Sequence, residues 1–245
     1  MFSEGIHHSS FVMIFLIIGF AVIHSGGAAI RKKAENIVGP RVWRLIFALA
    51  SIPSALVLVL YFLAHRYDGL RLWNIQGLTG ANYLIWIFTA ISFWFLYPAT
   101  YNLLEIPALS KPTVRLYTKG IIRISRHPQA IGQIIWCIAH GLWIGSSFML
   151  VTCFGLIAHH LFAIWHGDRR LKERFGAEFE EIKRNTSVIP FFAVIDGRQK
   201  LKLEEFLRPS QLGICIAIAF FWWAHRFISV GSEVFLSSNF SELFP

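Results

Sequence analysis

An all-helical bundle that crosses a membrane about six times is the fold class the sequence predicts, and three observations predict it. Of 245 residues, 55% are hydrophobic and 15% charged, with 23 Phe and 9 Trp, and the mean hydropathy is +0.54. A soluble domain of this length has a polar surface to cover and does not carry that balance. Charge-free runs reach the ~20 residues that a helix needs to cross the hydrocarbon core. Basic residues also concentrate in alternate connections between those runs.

The spans follow in chain order as Phe11 to Ile30, Leu45 to Ala64 and Ala81 to Leu104. The stretch from Pro128 to Gly167 contains no Asp, Glu, Lys or Arg. It is long enough for spans four and five, with Gly145-Ser146-Ser147 as the turn between them. Pro128 suits the opening of span four, because a proline in the first helical turn sacrifices no hydrogen bond. A sixth span runs from Pro209 through Phe221 to Ala224, with Arg226 snorkelling at its end. The expectation is a single transmembrane domain over residues 1–245.

The first connection carries Arg31, Lys32, Lys33, Arg41 and Arg44 against Glu35, and the third carries Lys111, Arg115, Lys119, Arg123 and Arg126 against Glu105. The fifth, Asp168 to Arg208, is long and charged, whereas the second is nearly balanced and the fourth uncharged. Connections one, three and five are therefore expected on the cytoplasmic or equivalent side, with both termini opposite. The formal net charge of +9 reads as this orientation signal and as contact with anionic membrane lipid. No basic stripe lies outside these loops, so nucleic-acid binding is not expected. The basic cluster follows the first apolar run instead of preceding it, the wrong polarity for a secretory signal. Met1 lies about ten residues before span one, so a plastid transit peptide is not expected. A thylakoid or plasma membrane of a cyanobacterium-like cell, or a plastid membrane for a trimmed chain, is the expected location. Cys137, Cys153 and Cys215 all fall in spans, which argues against a disulfide framework.

Polar and ionisable side chains inside spans are costly and mark function. His24 lies in span one, followed by the small residues Ser25, Gly26 and Gly27, which permit close approach of a helix or a flat ligand. In span four, Gln133, Cys137 and His140 share one helix face by their spacings of four and three. His159 and His160 lie late in span five and His166 at its end; Arg126-His127-Pro128-Gln129 opens span four. A lone intramembrane histidine is as often an interhelical hydrogen bond as a ligand, and a lone cysteine is most often packing. A structural zinc site wants four ligands, whereas one or two imidazoles with an optional thiolate suit an axially ligated haem. The aromatic run Phe93, Trp94, Phe95 and Tyr97, with Trp136 and Trp143, fits either membrane interfaces or a slot for a long apolar substrate.

Several stretches carry a family resemblance. They are His24-Ser25-Gly26-Gly27, His65-Arg66-Tyr67-Asp68-Gly69, Phe95-Leu96-Tyr97-Pro98 and Ile124-Ser125-Arg126-His127-Pro128-Gln129. Ile135-Trp136-Cys137-Ile138-Ala139-His140, the run Gly155 to Phe162, Gly167 to Leu171 and Thr186 to Phe191 complete them. In these motifs the chain resembles the NnrU-like family of membrane haem proteins, in its 15-cis-zeta-carotene isomerase branch. The resemblance runs over about residues 10–200 and fades beyond.

That resemblance implies a carotenoid cis-trans isomerase. It converts 9,15,9'-tri-cis-zeta-carotene to 9,9'-di-cis-zeta-carotene at a ferrous haem b, without net oxidation, on the way to lycopene. It places the axial ligands, and with them the catalytic centre, at His24 and His140, with Cys137 as an alternative thiolate; it gives His65 and His159 no ligand role. An unfunctionalised hydrocarbon offers nothing to an acid or base, so weakening its π bond falls to a redox-active metal, and the protein supplies ligation, orientation and exclusion of water. Cys137 and His140 could exchange by a small helix rotation. Arg126, Arg169 and Arg170, at the inner ends of spans four and five, are expected beside the haem propionates. Carotenoid desaturases are expected neighbours.

At 1.5 Å per residue, His24 lies roughly 9 Å from the inner end of span one and His140 roughly 18 Å into span four. Cys137 and His159 are nearer the depth of His24. A weaker resemblance, through Arg126-His127-Pro128, Phe175-Gly176 and Ile189-Pro190, is to isoprenylcysteine and phospholipid methyltransferases that use S-adenosylmethionine. Gly167-Asp168-Arg169-Arg170 lacks the adjacent glutamates of those enzymes, which argues against methyl transfer. A haem protein of nitric oxide and denitrification metabolism, and a non-catalytic haem carrier, are the other readings.

Overall fold

Away from water, an apolar run can satisfy its backbone N–H and C=O groups only through its own i→i−4 ladder. The computed structural model, which describes residues 7–101, 116–206 and 209–239, accordingly shows helix along each expected span. The first is α1 (His8–Ala21), continued through a single π-helical turn (Val22–Gly26) into α2 (Gly27–Val38). Gly39, at φ 82°, ends it, and α3 (Pro40–His65) restarts at once with proline in its first turn. Then come α4 (Ala81–Tyr101), α5 (Ile121–Ile124), α6 (Pro128–Ile144), α7 (Ser147–Phe175), α8 (Ala177–Asn185), α9 (Phe192–Ile195) and α10 (Pro209–Asn239).

Three of these stretches, His8–Val38, Pro40–His65 and Ser147–Phe175, are long and apolar enough to cross a membrane. Ala81–Leu96 and Leu212–Ile228 are shorter apolar helices, and α6 has 17 residues. Large apolar side chains point outward along them, among them Phe15, Leu49 and Phe154. In water such a surface would be a liability; against lipid it is the expected one. Residues 102–104 of the third expected span, and Glu105, Lys111 and Arg115 of the third connection, lie outside the described residues.

Past Gly167, α7 runs on into the charged fifth connection as far as Phe175. The eight charge-rich residues after Gly167 stay helical with the help of an i,i+4 pair, Arg169 to Glu173 at 3.0 Å. Gly176, at φ 53°, then breaks the helix.

The described residues gather into two compact units. The first draws on the described residues within Met1–Ala81, His140–His159 and Ala224–Pro245. Met13, Phe148, Met149 and Thr152 form its most buried centre. The turn between α6 and α7 falls at Gly145 and Ser146, as expected from the sequence. Gly145 is at φ 66° and a Cβ there would collide with the Trp73 carbonyl, so only glycine fits. The segment before it is pinned by Leu72 N–H donating to the Gly145 carbonyl at 2.7 Å and Ser147 N–H donating to the Leu70 carbonyl at 2.8 Å.

The second unit draws on Asn82–Ala139 and His160–Trp223. In it α4 and α6 approach closely at Gly132, where a Cβ would meet the Ser92 carbonyl at 2.9 Å. The Ser92 hydroxyl, fully buried, donates to the Gly132 carbonyl at 2.8 Å. The segment after α8 is laced back to the start of α6: Arg126 N–H donates to the Ser187 carbonyl, and the Ser125 hydroxyl to the Val188 carbonyl.

Candidate functional site

In the first unit, His24 sits in the middle of the π-helical turn. A π turn inserts one extra residue into the ladder, and such bulges recur at functional sites. The small residues after His24 permit it here: Gly27 faces Phe47 so closely that a Cβ would lie 2.9 Å from the ring. The imidazole stacks on Phe20, with centroids 5.1 Å apart and planes 17° apart, and leans on Phe47 at 5.4 Å. Its Nδ1 is hydrogen-bonded to the buried Ser51 hydroxyl of α3 at 2.7 Å. With Nδ1–H donating to that hydroxyl, Nε2 carries the lone pair that a metal takes. The residue is exposed on its unit.

Ser51 was not singled out from the sequence. The signal was there, since Ser51 and Ser54 interrupt an apolar span in which polar groups need partners. His159 is brought towards the same place, its ring 5.7 Å from Phe20. His140, near the end of α6, has His225 of α10 beside it, with ring centroids 6.3 Å apart. His225 too was missed, because it lies past residue 200.

Ile17 packs against Gly155, and Phe20 against His159, so α1 and α7 run the same way. Cys137, one turn before His140 on α6, is 2% exposed and accepts a weak hydrogen bond from Gln133 Nε2 at 3.9 Å.

In the second unit two of the residues expected near propionates, Arg126 and Arg169, face carboxylates of this chain. Arg126 donates from NH2 to Asp168 Oδ2 at 2.9 Å and from Nε at 3.2 Å. His127 Nε2 lies 2.6 Å from the other oxygen of the same carboxylate. Asp168 is thus shared by a guanidinium and an imidazole, at the edge of a cavity of ≈ 190 Å³ also lined by Tyr117, Leu171 and Phe179. Arg169 pairs with Glu173, largely exposed, and Arg170 is exposed on the same helix. Elsewhere in this unit Arg123 grips Glu205 through Nε and NH2, both at 2.8 Å. That pairing, with a further N–H from Gly120, pulls the Glu205 carboxyl down to about 2.

The two descriptions define a helical protein with span-length apolar helices and an exposed imidazole oriented by a buried hydroxyl. The chain belongs to the NnrU family, whose NnrU protein model matches residues 12–232. The match thus runs past residue 200 and takes in His225. Among curated proteins, the chain is 50% identical over 224 residues to the chloroplastic 15-cis-zeta-carotene isomerase of Zea mays, covering 90% of this chain and 61% of that protein. It is 49% identical over 216 residues to the enzyme of the same name from Arabidopsis thaliana, covering 87% of this chain and 59% of that protein. The chain therefore spans about three fifths of the length of these relatives. No solved structure matches it.

Proposed function

We propose that this protein is a membrane-embedded 15-cis-zeta-carotene isomerase that acts through haem b. The observation that carries the reading is the identity of about half over nearly the whole chain to two isomerases of that name. The substrate class follows: a tri-cis-zeta-carotene hydrocarbon drawn from the bilayer, with desaturases of the same carotenoids as neighbours. Six spans, basic connections on one side and both termini on the other, complete the topology in a plastid or thylakoid-type membrane.

The fit of haem rests on donor chemistry. Among the described residues no three or more His, Cys, Asp or Glu converge as a metal cluster, but a porphyrin-held iron asks the protein for only one or two axial donors. His24, with Nδ1 tied to Ser51 and two rings against it, is such a donor, and His140 is the second. Cys137, one turn from His140, is the alternative thiolate. When bound, the haem supplies the redox-active metal that can weaken and restore a hydrocarbon π bond. The chain's own part is to orient the imidazole through Ser51, present apolar and aromatic walls to the substrate, and keep water away. Arg126 and Arg169 already hold carboxylates of this chain, so they serve the propionates only by exchanging those partners.

The test is an absorption spectrum of the detergent-purified protein, oxidised and dithionite-reduced, followed by incubation with tri-cis-zeta-carotene. A haem Soret band and formation of the di-cis product in the reduced state are expected. Product without haem would remove the cofactor from the proposal. Haem without product would leave the nitric oxide reading.

A further inference from the structure

In the second unit, the segment joining α8 to the residues before α10 carries an outward apolar face. Ile189 is 64% exposed, Phe191 44%, Phe192 49%, Ile195 80% and Leu203 73%. These side chains stand on a fixed platform. Ala193 is fully buried beneath them and Thr186 nearly so. Phe191 N–H donates to the Ile124 carbonyl at 3.0 Å, and Gln199 N–H to the Ala193 carbonyl at 2.7 Å. Arg198 NH1 donates to the Arg184 carbonyl at 2.7 Å.

Phe191 is, among the described residues, the one non-glycine with positive φ, at 63°. A bulky residue in that region is strained and persists only where its surroundings impose it.

The same stretch is rich in bases: Lys183, Arg184, Arg198, Lys200 and Lys202 accompany it, with Asp196 tied to Arg198 at 2.6 Å and the exposed Glu204 directly after Leu203. Aromatic and branched apolar side chains accompanied by Lys and Arg are the composition of a surface that lies in the headgroup layer of an anionic membrane, its apolar side chains reaching the acyl boundary. A protein partner burying the same face would have to strip water from Lys183, Arg184, Lys200 and Lys202.

We propose that the segment from Ile189 to Leu203 is an interfacial membrane-docking surface, its apolar side chains seated among anionic lipid headgroups. It does not depend on haem or on the isomerase reading. The test uses the full chain in lipid nanodiscs, with Cys215 (exposed) replaced by alanine and a single labelling site made by Ile195→Cys. The same label at Glu178→Cys, exposed on α8, serves as the aqueous reference. With a polarity-sensitive fluorophore and a lipid carrying a nitroxide near its headgroup, quenching at 195 should exceed that at 178 at least twofold. Replacing phosphatidylcholine by phosphatidylglycerol should increase it further. Quenching at 195 by aqueous iodide alone would overturn the proposal. So would protection from both quenchers, which would mean that protein covers the face.

Discussion

Two of the polar centres in this apolar chain solve the same problem in opposite ways. Around Asp168 the charges neutralise one another: a guanidinium and an imidazole occupy both carboxylate oxygens. Around His24 the described partners are one hydroxyl and two aromatic rings. A closed ion network braces a fold, because every strong donor is already spent. An imidazole fixed at one nitrogen by a neutral hydroxyl keeps its other nitrogen for an incoming group. On the proposed reading, the first centre braces the fold and the second does the chemistry.

The strongest way to break that assignment is at His24. His24→Ala should lose most bound haem and nearly all isomerisation while the protein still purifies as a folded, monodisperse species. Full haem content, measured as pyridine haemochrome, would move the chemistry elsewhere, with His159 the nearest imidazole to inherit it. The second comparison is within α6. Cys137→Ala and His140→Ala should each keep part of the haem, the latter with a shifted spectrum. The double variant should lose more than the two losses combined, as for residues that share one role. An unaltered spectrum in the double variant would exclude α6 as a ligand source.

Asp168→Asn should reverse the pattern. Removing one member of a largely buried ion network leaves the others uncompensated and costs about 3 kcal/mol or more. Thermal stability should fall clearly, whereas the haem spectrum of whatever remains folded should not change. A changed spectrum with unchanged stability would make Asp168 part of the chemical centre. The smallest effect belongs to Arg123–Glu205. Its carboxyl lies at about 2 when folded against an ordinary value of 4.5, so the folded state favours the ionised form. That stabilisation is present in full above the ordinary value and is lost as pH falls from there through about 2. Acid titration of Glu205→Gln should therefore show a shallower loss of stability over this window than the parent chain.

Much of this was legible in the sequence. The helical spans, the turn at Gly145 and the candidate His24 follow from apolar run length, glycine placement and the cost of an ionisable group in lipid. All of these are local or compositional. Asp168 opens the charged fifth connection, and the charge pattern does not say that the helix continues through it; that continuation presents Asp168 to Arg126 and His127.

What the sequence determined alone was the kind of protein: an all-helical chain whose apolar runs are long enough to cross a membrane. What only the tertiary structure decided was partnership. Ser51 is one of several serines in apolar runs, and nothing in its neighbours distinguishes it. It becomes the partner of His24 because the close approach of α2 and α3 at Gly27, and the extra residue of the π turn, bring the two side chains together across 27 residues of chain. Pairings of that kind depend on helix rotation and separation. Those are set by side-chain packing at contacts far apart in sequence, and no local pattern encodes them.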